Sequence, residues 1–133
     1  MNMATQTTGA IAVFITTANS EEAARLAEML VVERLAACVQ ILPEIESVYR
    51  WQGKIERQRE VLLIAKTVAS KFAALESKVC ALHSYETPEI VAVPLTTGSP
   101  PYLAWLSANV AAETQAESDV AEKVFNANQN RER

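Results

Sequence analysis

The chain's single histidine, His83, lies in the stretch CALHSYETPE (residues 80–89), three residues after Cys80 and three and six before Glu86 and Glu89. Thiolate, imidazole and carboxylate are donors that suit copper or zinc. A helix running through His83 would place Glu76, Cys80 and His83 at i, i+4 and i+7, on one stripe. A plainer reading needs no metal: cysteine packs as a small hydrophobe, and a histidine at a helix end interacts favourably with the helix dipole. The spacing leaves both readings open.

Other chemistry has fewer candidates. A Cys–His or Ser–His–Asp device needs an imidazole, and His83 is the only one. No G-x-S-x-G, H-E-x-x-H or glycine-rich phosphate loop is present, and there are only three glycines. Glu44 and Glu46 read as the solvent face of a strand rather than an acid–base pair. The chain is therefore expected not to be an enzyme. Lys54, Arg57, Arg59 and Lys66 lie along one strand; they read as solubilising charge, or as an anion-attracting wall beside a Trp51 platform.

At 133 residues, half of them apolar and 21% charged, the composition is that of one ordinary globular domain. A net charge of −4 with no isolated basic cluster argues against nucleic acid. Two cysteines make no disulfide framework, so reduced thiols are expected. The N-terminus lacks a basic region and a cleavage site, and no apolar run reaches membrane-spanning length. The expectation is a cytoplasmic protein without a membrane partner.

The pattern of elements must position these residues. GAIAVFITT (9–17) reads as a buried strand. Asn19 with Glu22 forms a capping-box-like start for a helix whose Ala23, Leu26, Ala27, Leu30 and Val31 share a stripe. Alternation from Ala37 through Trp51, a turn at Gln52–Gly53 and a strand from Lys54 to Thr67 predict a hairpin. Ser70 is a candidate cap for a second helix in which Phe72, Leu75, Val79 and Leu82 recur at i, i+3, i+7 and i+10. A fourth strand follows, with Pro94 at an edge or strand end. Ser99 before Pro100 opens a third helix carrying Leu103, Leu106 and Val110. The order β-α-β-β-α-β-α predicts an α+β fold: a ferredoxin-like split βαβ sandwich with a long central hairpin and an extra C-terminal helix. Residues 1–9 are expected as a flexible N-terminus, 10–112 as the domain, and 113–133 as a polar tail.

The hairpin is too long for its helices. Arms of about thirteen residues reach ~40 Å, whereas helices of about fifteen cover ~22 Å. The overhang carries Ile45, Val48, Tyr49, Trp51 and Ile55, and a bare two-stranded ribbon is marginal in water. Another copy of the chain is the simplest cover.

Five stretches, ERLAACVQI (33–41), SVYRWQGKIE (47–56), LLIAKT (62–67), LHSYETPEI (82–90) and YLAWL (102–106), together resemble the CutA divalent-cation-tolerance family, in family order and spacing over roughly residues 10 to 110. The resemblance implies a homotrimer of ferredoxin-like subunits that resembles PII-type signalling trimers, and a link to copper tolerance. It implies that His83 matches a copper-ligating histidine of a bacterial member, and Cys38 a cysteine implicated in metal or thiol chemistry. Thr16 and Leu82 stand where that member has a further cysteine and histidine, and Ser84 where proline is common. With one of three ligands kept, weak Cu(II) binding is implied, through His83 with Cys38 or Glu86. Trp51, Lys66 and Tyr85 are then expected to help line an intersubunit cleft. No cofactor is required. The alternative is a PII-like module taking a small anionic ligand in that cleft.

Overall fold

A computed structural model describes residues 8–112. The elements are β1 (Ala10–Thr17), α1 (Ser20–Val32), β2 (Cys38–Trp51), β3 (Lys54–Val68), α2 (Phe72–Leu82), β4 (Ile90–Pro94) and α3 (Pro100–Val110). The strands form one antiparallel sheet in the order β2-β3-β1-β4. This is the split βαβ arrangement expected from the sequence. The expected 113–133 tail lies outside the described residues. Thr8 and Gly9, expected in the flexible N-terminus, are bonded to the sheet's end: the Thr8 hydroxyl donates to the Leu95 carbonyl (2.6 Å) and the Ala69 N–H to the Gly9 carbonyl (2.9 Å).

The helices α1 and α2 cover one sheet face. Ile11, Val13, Ile15, Val61, Leu63 and Ala65 meet Ala23, Leu26, Leu30, Leu75 and Val79 in one buried cluster. Full burial of a Leu or Ile side chain stabilises by about 1.5–3 kcal/mol, so this layer holds the subunit together. On the other face, α3 buries Leu106 and Val110 against Ala10 and Ala37 at one end only. Strand alternation turns Phe14, Ile64 and Val91, which lie in register, toward the rest of that face. No helix among the described residues covers Val91 and Val93, which stay exposed.

Local chemistry explains most boundaries. The Asn19 side chain accepts the Glu22 N–H at 2.9 Å, capping α1. The reciprocal bond differs from a standard capping box: the Glu22 carboxylate reaches past Asn19 to the Ala18 N–H at 3.0 Å. Gln52 and Gly53 both have positive φ (51° and 79°), as a two-residue hairpin turn of matching twist requires. Pro43 lies at a register shift between Leu42 and Ile45, so the strand bulges around the residue that has no N–H and then continues. Pro94 ends β4, an edge strand bonded only to β1.

Two expectations need correction. Ser70 does not cap α2; it lies within a 3-10 turn, Ala69–Lys71, and the helix begins at Phe72 with no side-chain cap. The helix also stops at Leu82, and His83 has extended backbone (φ −74°, ψ 144°). The stripe of Glu76, Cys80 and His83 therefore does not form: Cys80 is exposed, whereas the His83 side chain is buried.

The hairpin arms are 14 and 15 residues against helices of 13 and 11, so the overhang exceeds the sequence-based figure. Val48, Tyr49, Trp51 and Ile55 are all exposed along it. Arg57 pairs across strands with Glu46 (3.0 Å) and Arg59 with Glu44, so these bases meet carboxylates of their own hairpin. Exposed pairs of this kind stabilise little.

Candidate functional site

The loop after α2 is held by three consecutive side chains, each bonded to a different element. The His83 side chain is fully buried; its Nε2 lies 2.7 Å from the Thr16 carbonyl, and its Nδ1 accepts the Tyr85 N–H at 2.9 Å. A backbone N–H can only donate, so Nδ1 carries no proton and Nε2–H donates to Thr16. Both ring nitrogens are thereby engaged, and coordination of a metal would have to displace one of these bonds. The Ser84 N–H and hydroxyl donate to Glu22 at 2.7 and 3.0 Å. Proline at this position would supply neither donor. The Tyr85 hydroxyl donates to Glu60 Oε2 at 2.7 Å, reaching β3.

Electrostatics follow from these contacts. Burial raises the Glu22 carboxyl pKa, but the hydrogen bonds donated by Ala18 and Ser84 outweigh it and leave the carboxyl below its ordinary value. Burial, the bond to Glu60 and the charges of Glu60 and Glu22 push the Tyr85 phenol well above its ordinary value. Tyr85 thus stays protonated as a donor in a negative field.

Beside this loop opens a cavity of about 660 Å³, lined by Thr16, Tyr49, Trp51, Glu60, Tyr85, Glu86 and Glu89, with Ser47, Val48, Gln58 and Thr87. Among the described residues its lining carries three carboxylates and three aromatic rings, and no lysine, arginine or histidine. Of the six residues expected to form a site, the subunit brings Trp51, Tyr85 and Glu86 together here. The other three lie elsewhere. The His83 ring is buried behind the loop, tilted 45° against the Tyr85 ring with centroids 4.8 Å apart. Lys66 bonds Gln40 at 2.5 Å and is paired in register with Cys38. Cys38 in turn lies 3.4 Å from the Tyr102 hydroxyl, and this contact with burial raises the phenol to about 12. Among the described residues no three His, Cys, Asp or Glu side chains converge as a metal cluster. Sequence reasoning missed Glu60 and Glu22. Glu60 sits in the charged ERQRE run and reads as a surface residue; Glu22 reads only as a cap.

Comparison with known proteins places these features in a family. Residues 11–109 match the model of the CutA1 divalent ion tolerance protein family. The divalent-cation tolerance protein CutA of Thermus thermophilus is 50% identical over 98 residues, which cover 73% of this chain and 95% of that protein. The chloroplastic CutA protein of Arabidopsis thaliana is 46% identical over 106 residues, covering 80% of this chain and 58% of the longer plant protein. Solved structures agree: the Thermus thermophilus CutA1 structure superposes with a TM-score of 0.75 at 46% identity, covering 77% of this chain and 99% of that one. The Oryza sativa CutA1 structure gives 0.75 at 45% identity, covering 82% and 99%. A further relative, from Archaeoglobus fulgidus, is named as periplasmic, so relatives are named for more than one compartment. None of the helices among the described residues is long and apolar enough to cross a membrane. The chain belongs to the CutA1 divalent ion tolerance family.

Proposed function

We propose that this protein takes part in divalent-cation tolerance in the cytoplasm by binding Cu(II) weakly in the acidic cavity beside the Tyr85 loop. The supporting observation is the lining: Glu60, Glu86 and Glu89 border one space that holds no basic side chain among the described residues, and because they do not converge as a preformed cluster the binding is weak. An all-oxygen donor set holds Cu(II) more tightly than other first-row divalent ions, but less tightly than imidazole and thiolate would. Glu86 is the expected ligand of the original three that the cavity contains. His83 serves to hold the loop, and Cys38 lies apart from it. Calorimetric titration with Cu(II) at neutral pH is expected to show weak binding that falls roughly tenfold in Glu86→Gln, as loss of one charged donor implies. Unchanged affinity in that variant would sink the assignment. The same lining disfavours the small anion of a PII-like module, because Lys66, its proposed partner, points to other contacts.

The working form is proposed to be a homotrimer. Support comes from the apolar surface that one subunit leaves uncovered: the hairpin residues Val48, Tyr49, Trp51 and Ile55, and the sheet face around Val91 and Val93. Trp51, 60% exposed in the isolated subunit, is the largest single contributor of apolar surface on the hairpin. Trp51→Glu is expected to shift the protein to monomers in light scattering at micromolar concentration, since a buried unpaired charge opposes association. Wild-type protein that scatters as a folded monomer would refute the trimer.

A further inference from the structure

A buried imidazole and a buried carboxylate stand side by side without bonding. His83 Nδ1 lies 3.8 Å from Glu22 Oε2, too far for a hydrogen bond, and neither side chain reaches solvent to any extent. In the neutral ring Nδ1 accepts the Tyr85 N–H and has no proton to give the carboxylate. Glu22 is ionised, yet the Ala18 N–H and the Ser84 N–H and hydroxyl that donate to it are neutral groups. A buried charge without an opposite charge is costly. A proton on Nδ1 changes both conditions at once. It ends the ring's capacity to accept, stranding the Tyr85 N–H, and it puts a positive donor beside Oε2. A carboxylate oxygen accepts two hydrogen bonds, so Oε2 can keep the Ser84 N–H and take Nδ1–H as well. Ring movement of about 1 Å closes 3.8 Å to the ~2.8 Å of a charge-assisted bond. The other elements around the ring permit this. From β1 comes the Thr16 carbonyl, which accepts from Nε2–H in either state. The helix α2 ends at Leu82, so a cation at His83 meets the negative end of that helix, and residues 79–82 carry no charged side chain, Cys80 being exposed. The loop presents the Tyr85 phenol, which burial and the β3 carboxylate of Glu60 keep protonated.

We propose that His83 is a proton-operated latch: neutral, it holds the Tyr85 backbone, and protonated, it turns to Glu22 and lets Tyr85 go. The bonds of His83 to Thr16 and of Ser84 to Glu22 persist in both states, so the end of α2 stays seated. What is released is Tyr85 and residues 86–89, which lead into β4. The latch works in the range in which histidine changes charge, between about pH 5 and 8. Glu22 stays ionised throughout that range, because its carboxyl lies below its ordinary value of 4.5.

His83 is the chain's only histidine, so isotope labelling of histidine nitrogen in the full chain gives one imidazole to follow by NMR. At about pH 8 its signals should show Nε2 protonated and Nδ1 bare, and on acidification toward about pH 5 both nitrogens should become protonated. In the same step the protection of the Tyr85 amide against hydrogen exchange should fall roughly tenfold or more, while the Ser84 amide keeps its protection. In Glu22→Gln both changes should move together to more acid pH, because the amide supplies no charge to attract the imidazolium. Tyr85→Phe keeps the backbone N–H and loses the bond to Glu60, so it should release its amide with ring protonation as the parent does. That variant carries the test if Glu22→Gln fails to fold. A ring that stays singly protonated throughout would overturn the proposal. So would an amide at position 85 that stays protected while the ring gains its proton, or one released at the same pH in Glu22→Gln as in the parent.

Discussion

His83→Ala is expected to destabilise the protein by about 3 kcal/mol while leaving Cu(II) affinity within twofold of wild type. The stability loss has two sources. Removing a fully buried ring leaves a void, and it strands the Thr16 carbonyl and the Tyr85 N–H without partners. Each buried group left unpaired costs about 1–3 kcal/mol, partly recovered where water enters. Denaturant unfolding at one fixed protein concentration measures the loss, so that the proposed association contributes equally to both proteins. The affinity half follows from the tautomer: with Nδ1 accepting and Nε2–H donating, the ring offers no free lone pair. A variant of ordinary stability that no longer bound Cu(II) would show the reverse, with His83 a ligand and its hydrogen bonds dispensable.

Glu22→Gln should cost about 2 kcal/mol at neutral pH, and that cost should shrink in acid. Glu22 is a buried carboxylate accepting from Ala18 and twice from Ser84; an amide of the same shape loses the charge-assisted part of each bond and brings an NH2 among donors. Its folded pKa lies below the ordinary 4.5, so its stabilisation is fully present above that ordinary value. It disappears as pH falls through the folded pKa, where the carboxyl takes up a proton in both states. The wild-type stability curve should therefore approach that of the variant as the pH falls below the ordinary carboxyl value of 4.5, an acid edge set by the direction of this shift. Parallel wild-type and variant curves from pH 7 to 3 would show that Glu22 is not the group responsible.

The element order was readable because alternation and helical periodicity agree with the turn chemistry: GAIAVFITT, the Asn19 cap and Gln52–Gly53 each fix one boundary by a local rule. The overhang followed from lengths alone. Ser70 misled because a serine before an apolar helix looks like a cap whether or not the backbone first makes a 3-10 turn. The site was less legible for a different reason. Glu60 and Tyr85 are 25 residues apart and Glu22 and Ser84 are 62 apart, and no periodicity within one element connects them. His83 was legible as a functional candidate by its type, but its ligand capacity depends on which nitrogen carries the proton. That is decided by the Tyr85 backbone amide, a group that no sequence pattern names. Lys66 and Trp51 lie on the same hairpin yet reach different surroundings, since register places Lys66 opposite Cys38 and Trp51 beyond the end of the helical layer.

The three anchors of the loop at 83–85 also determine when the cavity comes into being. The bond of His83 to Thr16 spans 67 residues, those of Ser84 to Glu22 span 62, and that of Tyr85 to Glu60 spans 25. Closing chain segments of such length costs entropy that only a formed sheet offsets, so contacts of high sequence separation arise late in folding. The hairpin of β2 and β3, joined by a two-residue turn, has no such delay. A growing chain therefore makes its protruding, apolar ribbon before it makes the binding cavity at the ribbon's base. Until β1 is seated against β3 and the loop is riveted to it, a nascent subunit has the means to associate and none to take up a ligand.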